Sequence, residues 1–150
     1  MPRLKRSKLP NVFLDSSVII AAVLSPSGGS FRLFQEAKLN RIKIYISQFI
    51  FTEVITILQR KYPAKPSSFY ELIRETPINF VKDPSPELIT TLTNFINPDD
   101  APILAAAIKA KPDFLITWDK KHFLKKEVVS NVSFTICTPK EFLQKFWKRK

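Results

Sequence analysis

Four acids stand where apolar runs begin, end or are interrupted. Asp15 halts the run "NVFLDSSVII", Glu53 sits inside "QFIFTEVITIL", Asp100 opens the alanine-rich "DDAPILAAAIKA", and Asp119 follows "FLITW". Carboxylates gathered in one pocket repel one another, and a proton or a divalent cation relieves that repulsion. Composition restricts which cation. One cysteine, Cys137, and one histidine, His122, leave no disulfide framework and no zinc site of thiolates and imidazoles. A metal here must be held by oxygen, which favours magnesium or manganese. Each acid also has an ordinary explanation. Asp15 and Asp119 could be helix N-caps, and Asp100 could complement a helix dipole. Glu53 shares its helical arc with Thr52 and Thr56 and could simply face water.

The elements that must position these acids follow from hydrophobic patterning. "NVFLD" (11–15) reads as a short buried strand, and "SSVIIAAVL" as a helix that is apolar almost all round. "SPSGGS" breaks it, and "FRLFQEAKLN" (31–40) is a second helix with Ser30 as its expected N-cap. "IKIYIS" (42–47) alternates as a strand, and "QFIFTEVITILQRKY" is long enough to be a helix. "PSSFYELIRE" is a helix, "INFVKD" (78–83) a strand, and "SPELITTLTNFI" (85–96) a helix with Ser at its cap and Pro in its first turn. The "DDAPILAAAIKA" helix (99–110), the strand "DFLIT" (113–117), a short basic helix "KKHFLKK" and the strand "VSFTIC" (132–137) follow. "TPKEFLQKFWKRK" closes the described pattern as a helix capped by Thr138 with Pro139 in its first turn.

Strands separated by helices pair in parallel, with crossovers on both faces. The expected fold is α/β, a three-layer α/β/α sandwich around a parallel sheet of about five strands. In such sheets, functional groups collect beyond the C-terminal strand ends near a topological switch point. Asp15 and Asp119 each follow a strand, and they can meet if those two strands are neighbours. No repeat or long linker divides the chain, so residues 11–150 are read as one domain preceded by a basic extension, residues 1–10.

In this order these segments resemble the PIN-domain family of metal-dependent nucleases, within it the VapC-like toxin ribonucleases of toxin–antitoxin pairs. The resemblance runs over nearly the whole chain. It is carried by "FLDSSVIIAAVLSPSGGS" with Asp15 and Ser16, "YISQFIFTEVITIL" with Glu53, "NPDDAPILAAA" with Asp100 in preference to its neighbour Asp99, and "FLITWDKKHF" with Thr117 and Asp119. It implies that Asp15, Glu53, Asp100 and Asp119 bind a magnesium or manganese ion and are the catalytic set. Asp15 and Asp100 would be direct ligands, Glu53 and Asp119 direct or water-mediated ones, and Ser16 and Thr117 would support the carboxylates. It also implies hydrolysis of phosphodiester bonds in single-stranded RNA, an antitoxin partner and a homodimer. The chain departs from the family pattern at Ser17, where Asn is frequent, at His122, where an acid or similar polar group is frequent, and at Trp118, where a glycine is frequent. Trp118 could stack on a base or simply pack, and is given no role; His122, close to Asp119, could meet the scissile phosphate or have no catalytic duty.

The charge balance agrees with an anionic partner. The net charge is +11 with a pI of about 9.9, which favours nucleic acid or a membrane surface. Lys120, Lys121, Lys125 and Lys126 lie close after Asp119. Lys120 and Lys121 are candidate contacts to RNA phosphates, or members of a solvated charged face. Further cations lie in the tails, at Arg3, Lys5, Arg6 and Lys8 and at Lys148, Arg149 and Lys150.

Other classes are excluded or weakened. Gly28 and Gly29 are the only glycines and are adjacent, so a P-loop, a dinucleotide fingerprint and a nucleophile elbow are absent. A haloacid-dehalogenase-like phosphatase needs D-x-D, and "DSS" lacks the second acid. The basic start and "VIIAAVL" imitate a signal peptide, but Asp15, Ser16 and Ser17 split the apolar region and no small-x-small cleavage site follows. No stretch approaches the ~20 apolar residues of a membrane span. A cytoplasmic protein is expected. A non-catalytic module that keeps the PIN fold and binds RNA or protein is the alternative, since ligand identity is necessary for turnover and not sufficient.

Overall fold

The structure is a computed structural model and describes residues 8–147. The basic residues at 3, 5, 6 and 148–150 lie outside the described residues. Five strands form one sheet: β1 (Asn11–Leu14), β2 (Lys43–Ser47), β3 (Ile78–Val81), β4 (Phe114–Ile116) and β5 (Thr135–Cys137). The helices between them are α1 (Ser16–Leu24), α2 (Gly29–Lys38), α3 (Gln48–Lys61), α4 (Pro66–Glu75), α5 (Pro86–Leu92), α6 (Ala101–Ala110), α7 (Lys120–Phe123), α8 (Lys126–Val129) and α9 (Pro139–Glu141), the last running into a π-helical segment, Phe142–Trp147.

All pairings are parallel, in the order β3-β2-β1-β4-β5. Val12, Phe13 and Leu14 are fully buried, as a central strand covered on both faces requires. Val12 lies opposite Ile44 on one side and Phe114 on the other. Right-handed crossovers send the helices between β1 and β3 to one face and those between β3 and β5 to the other. The three-layer α/β arrangement is therefore as expected. Its core is built from β1, β2 and β4 with the apolar sides of α1, α3 and α6.

Local chemistry sets the boundaries. Ser47 Oγ accepts the Ile50 N–H at 3.2 Å, so α3 begins immediately after β2. Ser85 Oγ accepts the Leu88 N–H at 3.2 Å, with Pro86 in the first turn of α5, as expected. Thr138 and Glu141 form a reciprocal capping box. α6 stops at Lys111, which adopts φ 52 ahead of Pro112.

Four expectations are corrected. Ser30 does not cap α2: the helix starts at Gly29 with Gly28 at the cap position. Ser30 is buried, and its hydroxyl accepts the Trp118 indole N–H instead. The 85–96 helix ends at Leu92, and residues 93–96 continue as turns. "KKHFLKK" is not one helix: a single turn ends at Phe123 and the next begins only at Lys126, because Lys125 is extended (ψ 146) and breaks the path. The strands at 78–83 and 132–137 shorten to 78–81 and 135–137, where a neighbouring strand is present to pair.

Candidate active site

The chain lays β1 first, adds β2 and β3 on one side, then returns to place β4 on the other. The switch point is therefore between β1 and β4, and Asp15 and Asp119 lie beyond their C-terminal ends. The Asp15 N–H donates to the Ile116 carbonyl at 3.0 Å, which locks the two strand ends together. Thr117, fully buried, links the acids directly. Its Oγ1 donates to Asp15 Oδ2 at 2.7 Å and accepts the Asp119 N–H at 2.9 Å. Ser17 Oγ donates to the same Asp15 oxygen at 2.9 Å. Ser16 Oγ is 3.5 Å from Asp15 Oδ1, a long contact.

Asp15, Asp100 and Asp119 occupy the N-cap positions of α1, α6 and α7, yet none of their side chains caps. Ser47, Ser85 and Thr138, at the same position of other helices, do. Helix capping therefore does not account for the three aspartates. Their carboxylates turn to one cleft of about 320 Å³, where Glu53 arrives from α3. Glu53 is only half-buried as a residue, but its Oε1 is enclosed and has no hydrogen-bond partner. An enclosed, unpartnered carboxylate oxygen among other acids fits a cation site.

The electrostatics agree. Burial pushes the Asp15 carboxyl above its ordinary value, against the Thr117 and Ser17 hydrogen bonds and with the Asp119 charge. Burial also raises Glu53, the charges of Asp15 and Asp100 adding to it and the Ser16 hydroxyl opposing it. Asp100 is raised by burial, with His122 acting against and Asp15 and Asp119 acting in favour. Three carboxyls held toward the neutral form in one cleft are a site short of positive charge.

Sequence reasoning named His122 and Asp99 only as lesser candidates and missed Lys61 and Tyr62. His122 Nδ1 lies 2.6 Å from Asp119 Oδ2 and 3.5 Å from Asp100 Oδ2. Ligand atoms of Asp100, Asp119 and His122 all lie within 4.8 Å of one another, a spacing that can hold a metal ion. The i,i+3 spacing from Asp119 on a helical turn was the signal for His122. Lys61, Tyr62 and Asp99 also line the cleft. Lys61 and Tyr62 come from the end of α3, and no local pattern marks them.

The candidate phosphate contacts differ from each other. Lys120 Nζ is bound to Glu141 Oε2 at 2.7 Å. Lys121 is exposed. Cys137 is buried, which pushes its thiol up to about 12. It carries no thiolate at neutral pH, so a cysteine nucleophile is not part of this site. No single helix among the described residues is long and apolar enough to cross a membrane.

Comparison with solved structures supports the architecture. PAE2754 from Pyrobaculum aerophilum superposes with a TM-score of 0.60 at 14% identity, covering 89% of this chain and 88% of that one. VapBC2 from Rickettsia felis, solved bound to a DNA fragment from its promoter, gives 0.62 at 16% identity, over 84% of this chain and 98% of that one. FitAcB from Neisseria gonorrhoeae gives 0.58 at 16%, over 85% and 97%. At these identities the likeness is one of fold. No curated protein matches the sequence. A model of the PIN domain matches residues 11–121, which include all four acids. The chain belongs to the PIN-domain family.

Proposed function

We propose that this chain is a divalent-metal-dependent endoribonuclease that hydrolyses phosphodiester bonds of single-stranded RNA. We further propose that it is the toxin component of a type II toxin–antitoxin pair, cytoplasmic and homodimeric, with an antitoxin protein as partner. Family membership and the likeness to VapBC2 support that reading. One observation carries it: three aspartates stand at N-cap positions without capping and share a cleft with an unpartnered Glu53 oxygen. Residues 11–150 are the nuclease domain, and 1–10 a basic extension.

Asp15 and Asp100 would hold magnesium or manganese directly, and Glu53 and Asp119 directly or through water. Such an ion would acidify an attacking water and neutralise charge developing on the phosphate. Thr117 and Ser17 fix the Asp15 carboxylate, Ser16 lies beside it, and His122 holds Asp119. The exposed Lys121 supplies a cation to the phosphate backbone, and Lys120 does so in competition with Glu141.

The test is cleavage of an unstructured RNA by purified protein, with magnesium or manganese and with chelator. Metal-dependent cutting that Asp15→Asn abolishes supports the proposal. RNA bound but left intact in both metals would return the chain to the non-catalytic PIN-fold module.

A further inference from the structure

We propose that Trp118 is a preset stacking platform for one unpaired base of the substrate strand, beside the phosphate held at the acids. The inference rests on the nuclease reading above and adds a specificity residue to it.

Trp118 is 45% exposed, although it lies between buried Thr117 and the cleft residue Asp119. Among the described residues no aromatic ring packs against its indole. A tryptophan recruited for packing would be covered, because its large apolar face gains most when removed from water. This one is instead held at its edge. Its Nε1–H donates to Ser30 Oγ at 2.8 Å, and Ser30 is 2% exposed at the start of α2. Its backbone N–H donates to Ser17 Oγ at 3.1 Å, and Ser17 donates in turn to Asp15 Oδ2 at 2.9 Å.

Two consequences follow from this arrangement. The only polar atom of the indole is already satisfied, so the rest of the ring is carbon surface that makes no polar demand on a ligand. The ring is also oriented before any ligand arrives, by its bond to Ser30, while the Trp118 backbone amide is tied through Ser17 to the Asp15 carboxylate. Binding then immobilises little that was free. A nucleobase is the occupant that fits a pinned π-face next to a candidate phosphate-cutting site on a chain of net charge +11. Every base offers a π-face, so the platform tolerates sequence. Bases in a duplex are already stacked, so it selects unpaired strands.

The experiment measures binding of a fluorescent unstructured 12-nucleotide RNA, with calcium replacing magnesium, and cleavage of the same RNA in magnesium. Trp118→Leu keeps apolar bulk and removes the π-face; binding should weaken about tenfold. Trp118→Phe keeps a smaller face and should stay within about threefold of wild type. Ser30→Ala frees the indole and should fall between them. A second arm scans a single abasic position along the RNA, first with wild-type protein and then with Trp118→Leu. One abasic position should reproduce the Trp118→Leu loss, and combining the two should add nothing further. Wild type that binds and cuts while Trp118→Leu does both equally well, or an abasic scan with no sensitive position, overturns the platform and leaves the nuclease reading standing. Wild type that neither binds nor cuts RNA overturns both.

Discussion

Replacing Thr117 by Val keeps the shape of a fully buried side chain and removes one hydroxyl, so it isolates what that hydroxyl holds. Two hydrogen bonds disappear, the 2.7 Å bond to Asp15 Oδ2 and the 2.9 Å bond from the Asp119 N–H. A hydrogen bond to a charged acceptor contributes about 1.5–3 kcal/mol, and an amide left without its acceptor costs about 1–3 kcal/mol. The Asp119 amide is only partly enclosed, so the lower end applies to it and the total is about 3 kcal/mol. In a domain of this size each kcal/mol moves the melting temperature by about 3–4 °C. Metal-free Thr117→Val should therefore melt roughly 10 °C below wild type. In an Asp15→Asn background the lost bond is neutral and worth about 1 kcal/mol, so the cycle should show a coupling of about 1 kcal/mol. Cleavage should fall by about tenfold or more, because Asp15 and Asp119 lose their shared tether. The assay is thermal melting of the four proteins in chelator, followed by cleavage in magnesium. A Thr117→Val melt within about 2 °C of wild type, with no coupling to Asp15, would refute the claim that this hydroxyl positions the acids.

Asp15→Asn and Asp100→Asn each remove a charge from a crowded cleft, so the metal-free proteins should melt at or above wild type while cleavage falls by about 10² or more. The double variant should lose little beyond the worse single one. Asp15, Glu53 and Asp100 have folded-state pKa values raised above the ordinary ones. Between ordinary and raised values the native state binds more protons than the unfolded one, so metal-free stability should fall as pH rises through that window. Glu141, lowered by Lys120 and Thr138, acts oppositely and loses its contribution as pH falls, so melting wild type beside Asp15→Asn from pH 4 to 7 reads out the Asp15 part. Manganese at ~100 times its dissociation constant should restore about 2.7 kcal/mol at neutral pH, and an unchanged melt would count against a formed site. Lys121→Ala should reduce the salt slope of RNA binding by about 0.7, and Lys120→Ala by less, because Glu141 already neutralises Lys120.

The alternation of strands and helices was legible because each element keeps one hydrophobic period and ends in a recognisable signal. Ser85 with Pro86, and Thr138 with Pro139, are examples that the structure reproduces. The cleft that Asp15, Glu53, Asp100 and Asp119 share follows from that order, since strand ends on one side of a parallel sheet converge. What the sequence hides is contact between distant segments. Ser30 has the residue type and place of a cap, but an indole 88 positions away claims its hydroxyl. His122 lies three positions after Asp119, but its approach to Asp100 depends on how α6 and α7 meet. Lys61 and Tyr62 reach the cleft only because of the length of α3. "KKHFLKK" has a helical composition throughout, and its break at Lys125 has no local sign.

The position of β1 in the middle of the sheet has a consequence for synthesis. β2 covers one edge of β1 soon after both have been made, but β4, which covers the other, is completed roughly 70 residues later. At ~10 residues per second that edge waits several seconds, a bare row of amides and carbonyls against strongly apolar side chains. Asp15 is made well before Asp119, which emerges with β4, so the acid pocket cannot close around a nascent chain until that late strand slots in. Until then the acids at the two strand ends are held apart, and the strand that completes the pairing of β1 is also the one that completes the pocket.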